Sequence, residues 1–370
     1  MKIEKIELRN IHMSLVSPFE TSFGVQNSRD VLLIAVHADG LIGRGECVAG
    51  EDPFYSPETP VTCKYILKEY LIPALFEGTI SGDPKAFFSE SGFVREHNMA
   101  RSTMEAALWD LEAQRKQQPL HALFGGTREE LYTGVSVGIQ PSLAHLVDVV
   151  GKYIDDGYRR IKIKIKPGWD VDPVAEIKKA YPDVPLMVDA NCAYSIDQID
   201  TLIALDQFDL MMIEQPFSYT DLLDHATLQS EINTPVCLDE SAKNLGILKA
   251  ALEMNACKLV NIKQGRVGGP SQAIEIHDLC KENGIGVWAG GMLETGIGRA
   301  LNIALATLDN FTIPGDISAS NRYWHKDIIQ PEVEVSKDGT LGVPSGSGLG
   351  FDIDQQYIEK ITTGVEHFRP

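Results

Sequence analysis

The chain has 370 residues, 44% hydrophobic and 23% charged, a composition that describes a soluble globular protein able to bury a large core without covalent staples. Lys plus Arg total 33 against 52 Asp plus Glu, a formal net charge of −19, and so acidic a surface disfavours nucleic-acid and membrane-surface partners. The longest apolar runs, such as VLLIAV at 31–36, fall far short of the ~18 residues of a spanning helix, and the opening MKIEKIEL lacks the apolar core of a secretory signal, so a cytoplasmic location is expected.

In chain order, Ile3 to Leu8 alternates in part and Val31 to His37 is rich in branched residues before an Ala-Asp-Gly turn, which predicts a small antiparallel sheet. Two helical stretches follow. The clearer runs from about Asn98 to Lys116, with Met104, Ala107, Leu108 and Leu111 at helical spacing. Residues 1–125 thus read as an α+β module, closed by Pro119 and the Gly125-Gly126 pair. From Tyr132 onward short apolar runs alternate with amphipathic segments: GVSVGI, RIKIKI, PLMVDA, LMMIEQP, PVCLDE, KLVNIK, GVWAGG and, less regularly, FTIPGD at 311–316. Helical segments such as 173–180 and 271–282 separate most of them, the βα alternation of a parallel sheet. A (β/α)8-like barrel over residues 126–318 is expected. An open doubly wound sheet is the alternative, but no GxGxxG turn follows the first strand. Residues 319–370 read as short strands that pack back on the first module.

Charged residues recur at the ends of these strands: Lys164, Asp189, Glu214, Asp239 and Lys263 are separated by 25, 25, 25 and 24 residues, one βα unit each time. In a barrel the carboxyl ends of all strands face one mouth, where the five side chains would converge. Three acids brought together raise one another's pKa unless a cation sits among them. An all-oxygen set suits Mg²⁺, or Mn²⁺ or another hard divalent ion, rather than zinc. Each acid alone would serve as well to cap the helix after its strand; three in step favour the metal. Arg160 to Lys166 alternates Ile with Lys, so a barrel strand would turn its isoleucines to the helix layer and its lysines inward. A buried amine beside other cations loses its proton more easily, so Lys162 and a nearby divalent ion would prepare Lys164 as a general base. Lys263, four strands on, would face it across the mouth. Two lysines flanking such a metal suit removal of the proton α to a carboxylate, through an enediolate whose charge a divalent ion neutralises.

Taken together, YRRIKIKIKPGWD at 158–170, VDANCAY at 188–194, MIEQP at 212–216, CLDES at 237–241, NIKQGRVGG at 261–269, GGMLETGIGRA at 290–300 and PGDISAS at 314–320 resemble the enolase superfamily. They resemble its muconate-lactonising subgroup and, within it, the o-succinylbenzoate synthase / N-acylamino acid racemase family; TSFG at 21–24 and the MARSTMEAALWDL helix extend the likeness over nearly the whole chain. The resemblance implies a (β/α)7β TIM-like barrel under an α+β capping domain, with Asp189, Glu214 and Asp239 on Mg²⁺ and Lys164 and Lys263 as the acid/base pair. It implies supporting roles for Lys162, Asn191 and Glu240. Ser136, Gly291, Met292 and Thr295 would line the pocket from the barrel, and Phe19, Thr21, Ser22, Phe23 and the 50–55 loop would close it from the cap. Arg266 matches an arginine of members that racemise N-succinylamino acids. The implied activity is Mg²⁺-dependent dehydration of 2-succinyl-6-hydroxy-2,4-cyclohexadiene-1-carboxylate to 2-succinylbenzoate, a step toward menaquinone, with N-succinylamino acid racemisation beside it. The alternatives are a dedicated N-acylamino acid racemase, a dipeptide epimerase or a muconate cycloisomerase. A small-molecule carboxylate partner and a homo-oligomer are implied as well. Cys192 and Gln264 depart from the usual Ser or Thr and Pro, and neither removes a ligand or a base.

Other signals carry less. Gly134 to Gly138 matches GxSxG, but Val-Ser-Val reads as continuous strand where a nucleophilic serine needs a sharp turn. The nine histidines show no HExxH. The glycines of GRVGG and AGGML are weak signs of a phosphate site. The six cysteines contain no CxxC pair and read as reduced core thiols. A Schiff-base aldolase would not need three acids, and a non-catalytic binding barrel would not exchange an α-proton.

Overall fold

The computed structural model describes residues 2–370. An antiparallel sheet comes first, made of β1 (Ile3–Thr21), β2 (Gly24–Ala38) and β3 (Leu41–Cys47). Its two faces bury different partners. Ile6, Leu8, Leu32, Ile34 and Val36 pack into one cluster with the helices of the same module, while Ile11, Met13, Leu15, Val31 and Leu33 join a cluster built largely from barrel helices. Strands covered on both faces read as continuous apolar runs, which is why 31–36 shows no alternation. The β1/β2 hairpin is much longer than the sequence indicates, because β1 switches buried face between Leu8 and Ile11 and so loses a single period.

Helix α1 (Asn98–Arg115) lies directly on β3. Glycines make this approach possible. A Cβ at Gly43 would fall 2.0 Å from the Ala107 carbonyl oxygen, and one at Gly45 would fall 2.3 Å from that of Thr103. Helix backbone has nowhere to retreat, so Gly45→Ala is expected to cost about 1–3 kcal/mol. A chemical denaturation midpoint equal to that of the parent would show that the helix can lift off the sheet.

Seven parallel strands follow in sequential order: β4 (Gly134–Val137), β5 (Arg160–Lys164), β6 (Leu186–Asp189), β7 (Ile213–Glu214), β8 (Val236–Leu238), β9 (Leu259–Ile262) and β10 (Gly286–Ala289). Segment 311–316 closes the ring through parallel bridges Val287↔Phe311 and Thr133↔Gly315, with the Gly134 N–H donating to Gly315 O at 2.8 Å. It bridges rather than forming a regular strand because Pro314 has no N–H to donate. The result is a (β/α)7β barrel. On β5 the isoleucines join the cluster under the helices, and Lys162 and Lys164 are buried among charged groups. The outer layer includes α2 (Pro270–Glu282) and α3 (Gly296–Ala306). The final strand, β11 (Thr362–Phe368), pairs antiparallel with β1, so the N-terminal sheet runs β11-β1-β2-β3. All six cysteines are free, and among the described residues no helix is long and apolar enough to cross a membrane.

Candidate active site

Parallel pairing sets the strand-end residues side by side: Lys164 is opposite Asp189, and Asp189 opposite Glu214. Asp239 and Lys263 directly follow β8 and β9. All five are buried. Lys164 Nζ donates to Asp189 Oδ2 and Asn191 Oδ1, both at 2.7 Å. Lys263 Nζ donates to Asp239 Oδ2 at 2.8 Å, and Tyr55 Oη donates to Asp239 Oδ1 at 2.8 Å. Arg266 also pairs with Asp239 Oδ1. Lys162 bridges three acids, with Asp316 at 2.5 Å, Glu214 at 3.2 Å and Asp189 at 3.4 Å. Asn191 Nδ2 donates to Glu240 Oε1 at 2.9 Å and thereby links the Lys164 side of the mouth to the loop after β8.

The charges sort unevenly. Burial raises the Asp189 carboxyl, but Lys164 and Lys162 outweigh it and hold the group below the carboxylate range. Glu214 is pushed up to about 7 by burial and then by the Asp189 charge, with lysines opposing. The expected mutual repulsion therefore falls on one member of the pair, because Asp189 receives two ammonium groups. Lys162 is the cation expected beside Lys164. Burial works to lower it, yet Asp316, Glu214 and Asp189 raise it above the usual lysine value, so it is a firmly charged structural cation. Among the described residues no three acidic, histidine or cysteine groups converge as a ready metal cluster. Asp189 and Glu214 lean on Lys162, while Asp239 is taken up by Lys263, Arg266 and Tyr55. The donor set nonetheless fits a hard divalent ion: three buried carboxylates, with the buried Glu240 Oε2 and Asn261 Oδ1 atoms lacking any partner.

Both lysines line one cavity of ≈330 Å³ between barrel and cap. The barrel contributes Lys164, Asn191, Lys263, Gly291, Met292 and Leu293; the β1/β2 hairpin contributes Phe19, Thr21 and Phe23, and the loop after β3 contributes Gly50, Asp52, Phe54 and Tyr55. Four named residues lie elsewhere. Ser22 Oγ donates to Asn191 O at 3.4 Å beside the cavity. Ser136 is buried on β4, its hydroxyl without a partner. Thr295 stands at the N-terminal end of α3 and donates its hydroxyl to Glu46 Oε2 at 2.6 Å, joining cap to barrel. Arg266 lines a smaller neighbouring cavity that shares Phe54 and Tyr55 with the first.

Residues 5–125 match the family described as mandelate racemase / muconate lactonizing enzyme, N-terminal domain, and residues 145–357 match the enolase C-terminal domain-like family. The chain belongs to the enolase superfamily. It is similar to the o-succinylbenzoate synthase of Geobacillus kaustophilus, at 48% identity over 100% of this chain and 98% of that one. It is also similar to the N-succinylamino acid racemase of an Amycolatopsis species, at 44% identity over 98% of each. A solved enolase-superfamily member from Listeria innocua matches it with a TM-score of 0.96 at 39% identity, covering 100% of this chain and 99% of that one. Enolase-superfamily proteins of this kind are enzymes that act on small-molecule carboxylates and generally depend on a divalent metal ion.

Several contacts around this superfamily site were not anticipated. Asp316 ends the eighth barrel segment and anchors Lys162, but its distance along the chain from Lys263 breaks the 25-residue series. Asn261 donates to Glu214 Oε1 at 2.6 Å; sharing the inward parity of Lys263 two residues on, it could have been found by the alternation rule used for Lys162 and Lys164. Gln26, Arg29 and Leu293 are brought in by loop and cap geometry alone, while Tyr55, from the 50–55 loop expected to close the pocket, also reaches Asp239.

Proposed function

We propose that this chain is an o-succinylbenzoate synthase that also racemises N-succinylamino acids, with Lys164 and Lys263 as the two acid/base groups and Asp189, Glu214 and Asp239 as ligands of Mg²⁺ or a related divalent ion. The observation that carries the reading is that two lysines from strands four apart line one cavity, each beside a buried strand-end carboxylate. The relatives named o-succinylbenzoate synthase and N-succinylamino acid racemase support it.

Lys164 takes the proton from the substrate carbon next to the carboxylate, and the electron pair of the broken C–H bond enters the enediolate. A divalent ion held by Asp189, Glu214 and Asp239 would neutralise the charge that develops on the substrate carboxylate. In the dehydration, the C–O bond to the ring hydroxyl breaks, the enediolate electron pair completes the aromatic ring, and the hydroxide leaves as water with the proton that Lys164 took from the carbon. In racemisation Lys263 delivers a proton to the opposite face. Asn191 orients the Lys164 amine, and Glu240 steadies Asn191. Cap residues Phe19, Phe23 and Phe54 give the cavity an apolar wall against the substrate. Residues 1–125 act as the cap, 126–318 as the catalytic barrel and 319–370 as the segment that returns to the cap, in a cytoplasmic homo-oligomer.

The test is incubation with the cyclohexadiene carboxylate and Mg²⁺, following 2-succinylbenzoate by ultraviolet absorbance. Rapid turnover is expected; none, together with exchange of N-succinylamino acid α-protons, would make the protein a dedicated racemase. Lys263→Ala is expected to stop racemisation of either enantiomer while dehydration falls less, because only racemisation needs a second proton carrier. Equal retention of both activities would remove Lys263 from the mechanism.

A further inference from the structure

Within the cavity, Lys164 and Lys263 are already ion-paired to Asp189 and Asp239. Arg29 is not. It lies on the cap strand β2, lines the same cavity and is only 2% exposed. Its Nη2 donates to two backbone carbonyls, Ala49 O at 2.9 Å and Val48 O at 3.3 Å, its Nε has no partner, and among the described residues it forms no ion pair. Among the described residues Asp52 is the only acid lining the cavity, and it is exposed. An uncompensated guanidinium kept out of water is costly unless something supplies the counter-charge. Carboxylates meet that need best, because the planar fork of arginine donors matches two oxygens.

We infer that Arg29 is a specificity residue that receives a second carboxylate of the ligand, the one remote from the reacting carbon, so that the cavity selects dicarboxylic over monocarboxylic substrates. This rests on the proposed function for the orientation of the ligand: the reacting carboxylate lies among the barrel strand ends, and the remote one reaches the cap wall. Gln26 lines the same cavity. Arg29 also holds the start of the loop after β3 through the Val48 and Ala49 carbonyls.

The experiment compares N-succinyl- and N-butyrylphenylalanine, which differ at the far end of the acyl group by a carboxylate against a methyl. Binding to the Mg²⁺-supplemented protein is measured by calorimetry, and α-proton exchange in heavy water is followed in parallel. The parent is expected to bind the succinyl compound about 10- to 100-fold more tightly, the worth of one charge-assisted hydrogen-bonded pair. Arg29→Met should erase the preference by weakening only the succinyl ligand, and Arg29→Lys should restore part of it. A residue that merely held the loop would weaken both ligands alike, and that result overturns the inference. If neither Arg29 variant folds, the parent decides alone: equal affinity for the two ligands, or binding of neither, overturns it. Selective binding without proton exchange would leave the Arg29 subsite standing and count against the proposed catalysis.

Discussion

Replacing Lys164 with Ala is expected to abolish dehydration and racemisation together, with a loss of about 10²- to 10⁴-fold or more, as for removal of a general base. The expectation follows from position. Lys164 ends β5, lines the substrate cavity and is held at 2.7 Å by both Asp189 and Asn191, so its amine is fixed before any ligand arrives. The fold should survive, because the deleted ammonium faces a cavity and not the packed cluster of Ile161 and Ile163. Turnover assays and α-proton exchange in heavy water, beside a thermal melt, check both halves. Full synthase turnover by a folded Lys164→Ala protein would exclude the assignment. Lys162→Ala should behave differently. Lys162 is bound to Asp316, Glu214 and Asp189, so its loss leaves three buried acids with less compensation and should lower stability as well as activity.

Excess chelator is expected to remove turnover, and added Mg²⁺ or Mn²⁺ to restore it. The physical reason is the gathering of buried carboxylates at the barrel mouth, where burial first and the Asp189 charge second push Glu214 up to about 7 even with Lys162 beside it. A divalent ion that binds only the folded protein also stabilises it, by about 2.7 kcal/mol when present at 100 times its Kd. The melting temperature should therefore rise with Mg²⁺, and Asp189→Asn should flatten that rise. Because the melt needs no substrate, it tests the carboxylates independently of the reaction. A protein whose melting temperature and turnover both ignore chelator and added ion would have no functional metal.

The barrel was legible from the chain because parallel strands buried on both faces are short apolar runs at βα intervals, and their charged ends repeat at that same interval. Lys164, Asp189, Glu214, Asp239 and Lys263 stand out for this reason, and the alternation in RIKIKIK tells which side of β5 faces inward. Periodicity carries no information about groups that arrive from outside the series. Tyr55 reaches Asp239 from a cap loop, Asp316 reaches Lys162 from the eighth segment, and Arg29 enters the cavity from a strand whose apolar run hides its alternation. The partners of Lys162 were also out of reach: alternation places it inward beside Lys164 as a cation, and only the folded chain shows the three carboxylates from other strands that surround it and hold its proton on. Sequence by itself determined the architecture and the five strand-end groups, since both follow from local spacing. Only the tertiary structure decided which carboxylate each lysine holds, that Thr295 and Arg266 lie outside the cavity, and that an unpaired arginine lies inside it, because those depend on distances between residues remote in the chain.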